Sequence, residues 1–362
     1  MDTTKQDTSN FLNYQPSNAF SMNLPLKTVF VTGATGFVGS HIARRYLKAG
    51  YRVEALTRSK GNVGLLADVA NQITWHEGDI LDIPSLEAAM CIGRNSGKLD
   101  VIHAAAVVSF SPKDHEQMGR INGEGTANVV NVCLKAGIRK MGYVSSVAAL
   151  GRPANKGESA EPVRLDETQK WEDSPNNSEY AKSKYRAELE VWRGVAEGLS
   201  AVMVNPSIVL GEGDWTRSSV QLFKYVYDEK PFYPAGLVNY VDVLDVAESL
   251  FGLMETDSIT DERFILNAGT IPYKELLKQM AVALHKRPPR MRMPPALTHL
   301  LWPVEAVRAW LTGSTPLITR ESARSSSSRY VYAGQKIAET IDFQYRPLSE
   351  TLTRSARAFA GL

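Results

Sequence analysis

A chain of 362 residues, 43% hydrophobic and 22% charged, can build one large domain or a domain with an attached lobe, but even its greasiest tract, Leu300 to Leu311, is broken by Pro303, Glu305 and Arg308, which argues against a membrane span. Lys and Arg number 41 against 39 Asp and Glu, and a net charge of +2 offers no general field for nucleic acid. Cys91 and Cys133 stand far apart without metal-type spacing, which argues against a disulfide framework or a cysteine metal site, gives no metal as the expectation, and fits a reducing cytoplasm.

Residues 1–26 are polar and aperiodic, have no apolar stretch with a cleavage site, and read as a disordered tail rather than a secretory signal. From Lys27 the pattern changes. The run Thr28-Val-Phe-Val31 meets a glycine turn and then Val38, Ile42 and Tyr46, flanked by Ala43 and Leu47, at helical spacing, which predicts strand, tight turn and helix. Further strands are predicted at Arg52–Thr57, Ile73–His76, Val101–Ala104, Met141–Ser145 and Ala201–Asn205, with helical patterns between most of them. Such alternation needs a parallel sheet covered on both faces. The expected fold class is therefore α/β, a Rossmann-type doubly wound parallel sheet with a smaller, mainly helical C-terminal substrate lobe. We expect the dinucleotide-binding domain over 27–205 and the lobe over 206–362, where Pro206, Pro231, Pro234, Pro272 and Pro288-Pro289 break the chain. A stripe of Val243, Val246, Ala247 and Leu250 predicts that part of 236–270 returns to the first domain. Ser325 to Ser328 reads as a surface loop, and the amphipathic stretch Ala296 to Leu311 as a lobe helix or dimer face rather than a membrane anchor.

Thr32-Gly-Ala-Thr-Gly-Phe-Val-Gly39 sets Gly33, Gly36 and Gly39 three apart, directly after a strand and before a helix. Glycines let the backbone approach a ligand, and the helix N-terminus offers free N–H groups to a pyrophosphate, so Gly33, Thr35, Gly36, Phe37, Val38 and Gly39 are expected to bind a dinucleotide. The second strand ends in Thr57-Arg58, where an NAD-binding fold usually carries an acid. A neutral Thr57 beside a guanidinium favours NADP(H) over NAD(H), with Arg58 on the 2′-phosphate. Asp79 and Ile80 follow the third strand at the adenine edge, and the Asp79 carboxylate serves either the exocyclic amine or as a helix cap. Ala104 and Ala105, in His103-Ala-Ala-Ala106, present small side chains where a cofactor passes, while His103 reads as a packed core histidine.

In Ser178-Glu-Tyr-Ala-Lys-Ser-Lys184, Tyr180 and Lys184 stand at i and i+4, a phenol and an ammonium on one helix face. Ser145-Ser146 at the end of a predicted central strand lies where open α/β sheets build their sites. Hydride transfer at a carbonyl or alcohol needs a proton donor beside the reacting oxygen. Tyr180 is that candidate, Lys184 the cation that stabilises its phenolate, and Ser146 the hydrogen-bond partner of the substrate oxygen.

These residues resemble the extended short-chain dehydrogenase/reductases of the NAD-dependent epimerase/dehydratase superfamily. The glycine turn, Gly78-Asp79, His103-Ala-Ala-Ala106, Asn122-Gly-Glu-Gly-Thr126, Tyr143-Val-Ser-Ser146, Tyr180-x-x-x-Lys184 and Asn205-Pro-Ser-Ile-Val-Leu-Gly211 match in order and spacing, from about Lys27 to Leu352. Ala187-Glu188 after Ser183-Lys184, with the Asn205 motif, look most like the dihydroflavonol 4-reductase and 3β-hydroxysteroid dehydrogenase branch. The resemblance implies Ser146, Tyr180 and Lys184 as the catalytic set, with Lys184 and Tyr180 also touching the cofactor, Pro206 in the cofactor wall, and a homodimer through helices flanking the sheet. Spacing to Gly151 favours Ser146 over Ser145, and Asn122 receives no direct catalytic role. Ala181, where many sugar epimerases place glycine, points away from that branch.

The expected function is an NADP(H)-dependent oxidoreductase that reduces a ketone or aldehyde, a small-molecule carbonyl or alcohol substrate. A sugar-nucleotide epimerase with retained NAD and a non-catalytic NADP-sensing protein stand as alternatives. Substrate specificity is expected from Gly151 to Asn177, from Gly211 to Ala235 and from the lobe after Ile271. Trp215, Phe223, Tyr227, Phe232 and Tyr233 offer aromatic area there, and Arg217 and Lys224 are the side chains that could hold a diphosphate.

Overall fold

Strands buried on both faces must be apolar almost throughout, and the central runs of this chain satisfy that demand. A computed structural model describes residues 27–59, 61–92, 99–153, 161–293 and 329–361. The tail 1–26, the stretch 296–311, the Ser325 to Ser328 run and part of the Gly151 to Asn177 loop lie outside them, as does the Cys91 side chain. The strands are β1 (Thr28–Thr32), β2 (Arg52–Thr57), β3 (Ile73–Glu77), β4 (Leu99–His103), β5 (Lys140–Val144), β6 (Val163–Leu165), β7 (Ala201–Pro206) and β8 (Ile208–Leu210). They continue as β9 (Phe232–Tyr233), β10 (Leu237–Asp242), β11 (Glu262–Leu266), β12 (Gly269–Pro272), β13 (Met291–Arg292) and β14 (Tyr330–Tyr332). The helices are α1 (Phe37–Lys48), α2 (Ile83–Ile92), α3 (His115–Gly119), α4 (Gly125–Ala136), α5 (Glu179–Ala196), α6 (Gln221–Tyr227), α7 (Val243–Glu255), α8 (Tyr273–Ala283), α9 (Lys336–Thr340) and α10 (Leu348–Ala360).

Seven parallel strands form the main sheet in the order β11-β7-β5-β4-β1-β2-β3. The order runs outward from β1 in both directions, and the reversal between β1 and β4 opens a crevice at the strands' carboxyl ends. Alternate side chains serve opposite faces. Val29 and Val31 pack with Ile42 and Tyr46 of α1 and Val246 and Leu250 of α7, while Phe30 packs with Leu86, Val129, Cys133 and Val191 of α2, α4 and α5. Helix α7 thus covers the main sheet beside α1, and β11 extends that sheet past β7. The predicted strands at Val101–Ala104 and Met141–Ser145 end one residue earlier, at His103 and Val144. Strand β11, opening on Glu262 and Arg263, was not anticipated.

The lobe packs α6, α8 and α10 around Phe223, Val226, Leu276, Met280 and Leu352 and on a small sheet of β12, β10 and β8. Two asparagines fasten the returning chain to it. Asn239 donates to the Tyr330 carbonyl (2.8 Å) and accepts from the Tyr332 N–H (3.1 Å), and Asn267 donates to the Tyr332 carbonyl (2.7 Å). No described helix is long and apolar enough to cross a membrane.

Candidate active site

The turn after β1 is shaped by close backbone contacts. Gly33 has φ +74°, and a Cβ there would lie 2.5 Å from the Ala105 nitrogen and 2.6 Å from the Ala104 carbonyl carbon. A Cβ on Gly39 would stand 2.1 Å from the Gly33 oxygen. Gly36 differs. It caps α1, is exposed, and a Cβ there would meet only the Gly33 oxygen, at 3.2 Å. Among the described residues no side chain caps α1, and its first turn holds no acid, so the positive dipole end at its leading N–H groups is left without a carboxylate in that turn. Thr35 lies under Gly64, whose Cβ would meet the Thr35 oxygen at 2.2 Å, and Phe37 and Val38 are half-buried.

Thr57 is buried and spends its hydroxyl on the carbonyls of Asn62 (3.0 Å) and Ser59 (3.2 Å), while Arg58 is exposed at the end of β2 with no ion pair among the described residues. The Asp79 Oδ1 accepts from the Leu81 N–H (2.9 Å), a turn-forming bond of the capping kind, and Ile80 is buried against Gly125. Ala104 continues β4 into the crevice, its N–H on the Thr32 carbonyl (3.1 Å), and Ala105 is half-buried beside it. His103 is fully buried. Thr126 donates to the Asn122 carbonyl (2.6 Å), so it accepts from His103 Nε2, and His103 Nδ1 accepts from Thr32 (2.6 Å). Burial, helped by nearby Lys184, pushes the imidazole pKa down to about 3, which keeps it neutral.

Ser146, Tyr180 and Lys184 converge at the carboxyl end of β5. Ser178 caps α5 through the Ala181 N–H (3.0 Å), which puts Tyr180 in the first turn and Lys184 one turn deeper. Burial raises the Tyr180 phenol above its usual range, and a hydrogen bond with Ser146 acts in the opposite direction. Lys184 is buried and donates to the Tyr143 hydroxyl (2.9 Å) and the Val144 carbonyl (2.9 Å). Desolvation, opposed by the Glu188 carboxylate, brings its ammonium down to about 7. Ser145 is turned away and donates to Glu188 (2.7 Å). The Ser146 oxygen also accepts from the Ala148 N–H (3.2 Å), so it caps the following turn.

Of the residues that complete this site, Phe110 was not singled out in the sequence, whereas Tyr143, Glu188, Asn122 and Asn205 stood there in motifs without a catalytic role. The Tyr143 hydroxyl is a partner of Lys184, and the Phe110 ring stands edge-on to Tyr180 at 6.0 Å. Glu188 gathers Ser145, Asn205 (2.8 Å) and Arg263 (3.0 Å) behind α5. Asn122 sits in a π-helical turn, bonds both backbone groups of Val107, and donates to Ser183 (3.0 Å), which fixes the loop after β4 to α5. At the end of β7, around Pro206, the Asn205 Oδ1 and Ser207 Oγ atoms are buried with no hydrogen-bond partner among the described residues. In the lobe, Phe223 is core and Trp215 packs edge-on to it, while Tyr227 is largely exposed and Phe232 and Tyr233 half-buried. Arg217 and Lys224 pair with the nearby acids Asp214 (3.4 Å) and Asp228 (3.0 Å).

The chain is similar in sequence and fold to several known proteins. Residues 29–269 match the model of the NAD dependent epimerase/dehydratase family. A Synechocystis sp. protein provisionally named dihydroflavonol 4-reductase is 30% identical over 336 residues, covering 91% of this chain and 94% of its own. Cinnamoyl-CoA reductase 1 of Oryza sativa subsp. japonica is 29% identical over 290 residues, 76% of this chain and 81% of its own. The crystal structure of gox2253 superimposes with a TM-score of 0.74 at 30% identity, covering 92% of this chain and 98% of that one. At 23% and 21% identity, the Thermus thermophilus UDP-glucose 4-epimerase complex with NAD (TM-score 0.70) and Candida albicans Gre2 with NADPH (TM-score 0.69) share the fold, each covering 92% of this chain and 99% of that one.

Proposed function

The chain belongs to the NAD dependent epimerase/dehydratase family and is an NAD(P)-dependent enzyme, and from that premise we propose that it is an NADP(H)-dependent reductase of a ketone or aldehyde. The observation that carries this reading is the convergence of Tyr180 and Ser146, whose hydroxyl draws the phenol's pKa down, with the buried Lys184 at the carboxyl end of β5. The site fits a dinucleotide. The uncapped start of α1 beside Gly36 suits a pyrophosphate, and the unpartnered Ser207 Oγ and Asn205 Oδ1 suit a polar group at the far end. We assign Gly33, Thr35, Gly36, Phe37, Val38 and Gly39 of the turn, with Arg58, Ile80, Ala104, Ala105 and Pro206, to its walls. Asp79 keeps one carboxylate oxygen for this purpose, since Oδ1 holds the Leu81 N–H.

The bound nicotinamide would supply hydride. Ser146 orients the substrate oxygen, and Tyr180 gives it the phenolic proton as the carbonyl becomes an alcohol. The phenolate left behind is costly in so dry a place, and the Lys184 ammonium, anchored on the Val144 carbonyl, offsets it. Loss of that ammonium should therefore slow reduction. For the free enzyme, kcat/KM is expected to be flat below pH 7 and to fall about tenfold per unit once Lys184 deprotonates near 7. Lys184→Arg, charged at every accessible pH, should remove that limb even if its absolute rate is lower. A pH profile of NADPH oxidation checks both, and an unmoved limb in the arginine variant would exclude Lys184 as its source.

Arg58 is exposed and without an ion pair among the described residues, so its neutral variant should fold normally. Arg58→Ala is expected to raise KM for NADPH by about tenfold and leave that for NADH within about twofold, a phosphate contact being worth roughly 1.5 kcal/mol where solvent competes. Equal effects on both cofactors would place the 2′-phosphate elsewhere. An epimerase with retained NAD would instead release one equivalent of NAD on denaturation. The ion pairs of Arg217 and Lys224 with neighbouring acids speak against a diphosphate grip in that stretch. The buried free thiol of Cys133 accords with a reducing cytoplasm.

A further inference from the structure

Residues 274–292 carry Lys274, Lys278, Lys286, Arg287, Arg290 and Arg292 against one acid, Glu275, a surplus larger than the +2 of the whole chain. The charge is concentrated on one end of the lobe. Along α8, Lys274, Lys278 and Val282 follow at four-residue spacing on the exposed side, while Leu276, Leu277, Met280 and Ala281 fill the core. The Lys286 ammonium lies 4.4 Å from the centre of the Tyr227 ring, and the N–H groups of Arg290 and Met291 donate to the Pro231 carbonyl (3.0 and 2.9 Å). These contacts, with Lys274 5.6 Å from the ring centre of Tyr233, a residue paired with Arg292 across β9 and β13, bring the ends of α6, α8 and β13 together as neighbouring surface. On it, Val282 is 70% exposed, Met291 49% and Tyr227 42%, three of the six large apolar side chains most exposed among the described residues.

The nearby acids are occupied. Glu229 pairs with Arg287 (3.7 Å), Asp228 with Lys224 (3.0 Å), and Glu275 accepts from Gln279 (3.0 Å), whereas Lys278, Arg290 and Arg292 have no ion pair among the described residues. We propose that this face docks the protein on the surface of an anionic phospholipid bilayer. Cations at the rim meet lipid phosphates, and the apolar tips of Val282, Met291 and Tyr227 enter the headgroup boundary, where their burial adds to the electrostatic attraction. A nucleic acid would gain nothing from an aliphatic Val282 or Met291. The inference does not depend on the chemistry assigned to Tyr180.

Sedimentation of the full-length protein with vesicles tests it, using phosphatidylcholine alone and phosphatidylcholine mixed with phosphatidylglycerol. Binding is expected to the mixed vesicles only, and to fade as salt is raised. Lys278→Glu, Arg290→Glu and Arg292→Glu together should weaken it by about a hundredfold, since each cation near the surface is worth roughly fivefold. Val282→Asp should weaken it by about tenfold. Leu189→Asp, on the exposed side of α5, should leave it unchanged, and thermal melts confirm that each variant folds. The proposal is overturned by failure to bind mixed vesicles, by equal binding to neutral ones, or by indifference to the charge reversals. It is equally overturned if those reversals abolish binding to a duplex oligonucleotide instead, or convert a dimer to monomers, which would make the face a nucleic-acid surface or an interface between copies.

Discussion

Tyr180→Phe is expected to lower the rate of carbonyl reduction by about a thousandfold while NADPH affinity changes by less than about threefold. The substitution removes one oxygen and keeps the ring, so the edge contact with Phe110 and the first turn of α5, capped by Ser178, survive. What is lost is the only acidic proton that the proposed geometry brings to the substrate oxygen. Ser146 cannot replace it, because an alkoxide is far more costly than a phenolate. The affinity should hold because the pyrophosphate seat at α1 is formed by backbone that this phenol does not touch. Single-turnover oxidation of NADPH, alongside fluorescence titration of the cofactor, separates the two effects. Turnover equal to the parent would remove Tyr180 from the chemistry and leave the cofactor site standing.

The parts of this site that could be read from sequence are those set by local geometry. Gly33, Gly36 and Gly39 announce a turn because their spacing and their place between strand and helix depend on nothing distant. Tyr180 and Lys184 declare a shared face because helix geometry fixes where i and i+4 point. The choice between Ser145 and Ser146 is of another kind. Adjacent residues leave a strand in opposite directions, and which direction meets α5 depends on packing against Glu188, 43 residues beyond Ser145 in the chain and brought close only by the fold. The Tyr143 hydroxyl under Lys184 depends likewise on the placement of β5 beneath α5. Strand β11 was hidden because Glu262 and Arg263 break its apolar pattern. Both charges are used, Glu262 with Lys336 (2.6 Å) and Arg263 with Glu188. Asp79 offered two readings because an aspartate two residues past a strand suits a turn and a ligand alike.

The three glycines of the turn should separate folding from cofactor binding. Gly33→Ala and Gly39→Ala are each expected to destabilise the protein by about 3 kcal/mol or more, enough to lose most soluble protein in a marginally stable fold. At Gly33 the new methyl would stand 2.5 Å from the Ala105 nitrogen on backbone with φ +74°, and at Gly39 it would stand 2.1 Å from the Gly33 oxygen. In both places the obstacle is main chain following β1 or β4, which cannot swing aside as a side chain would. Gly36 has ordinary φ (−86°), and its methyl would meet only the Gly33 oxygen at 3.2 Å, a contact relieved by a shift of a few tenths of an ångström. Gly36→Ala should therefore fold, with a melting temperature within about 4 °C of the parent. Its methyl would project where a pyrophosphate must approach the N–H groups of α1, and dinucleotide affinity should fall by about tenfold or more. Melting curves and cofactor titrations of the three variants supply the comparison. A Gly36→Ala protein that folds and binds NADPH as tightly as the parent would move the phosphate seat away from the start of α1, and with it the orientation that brings the nicotinamide to Tyr180.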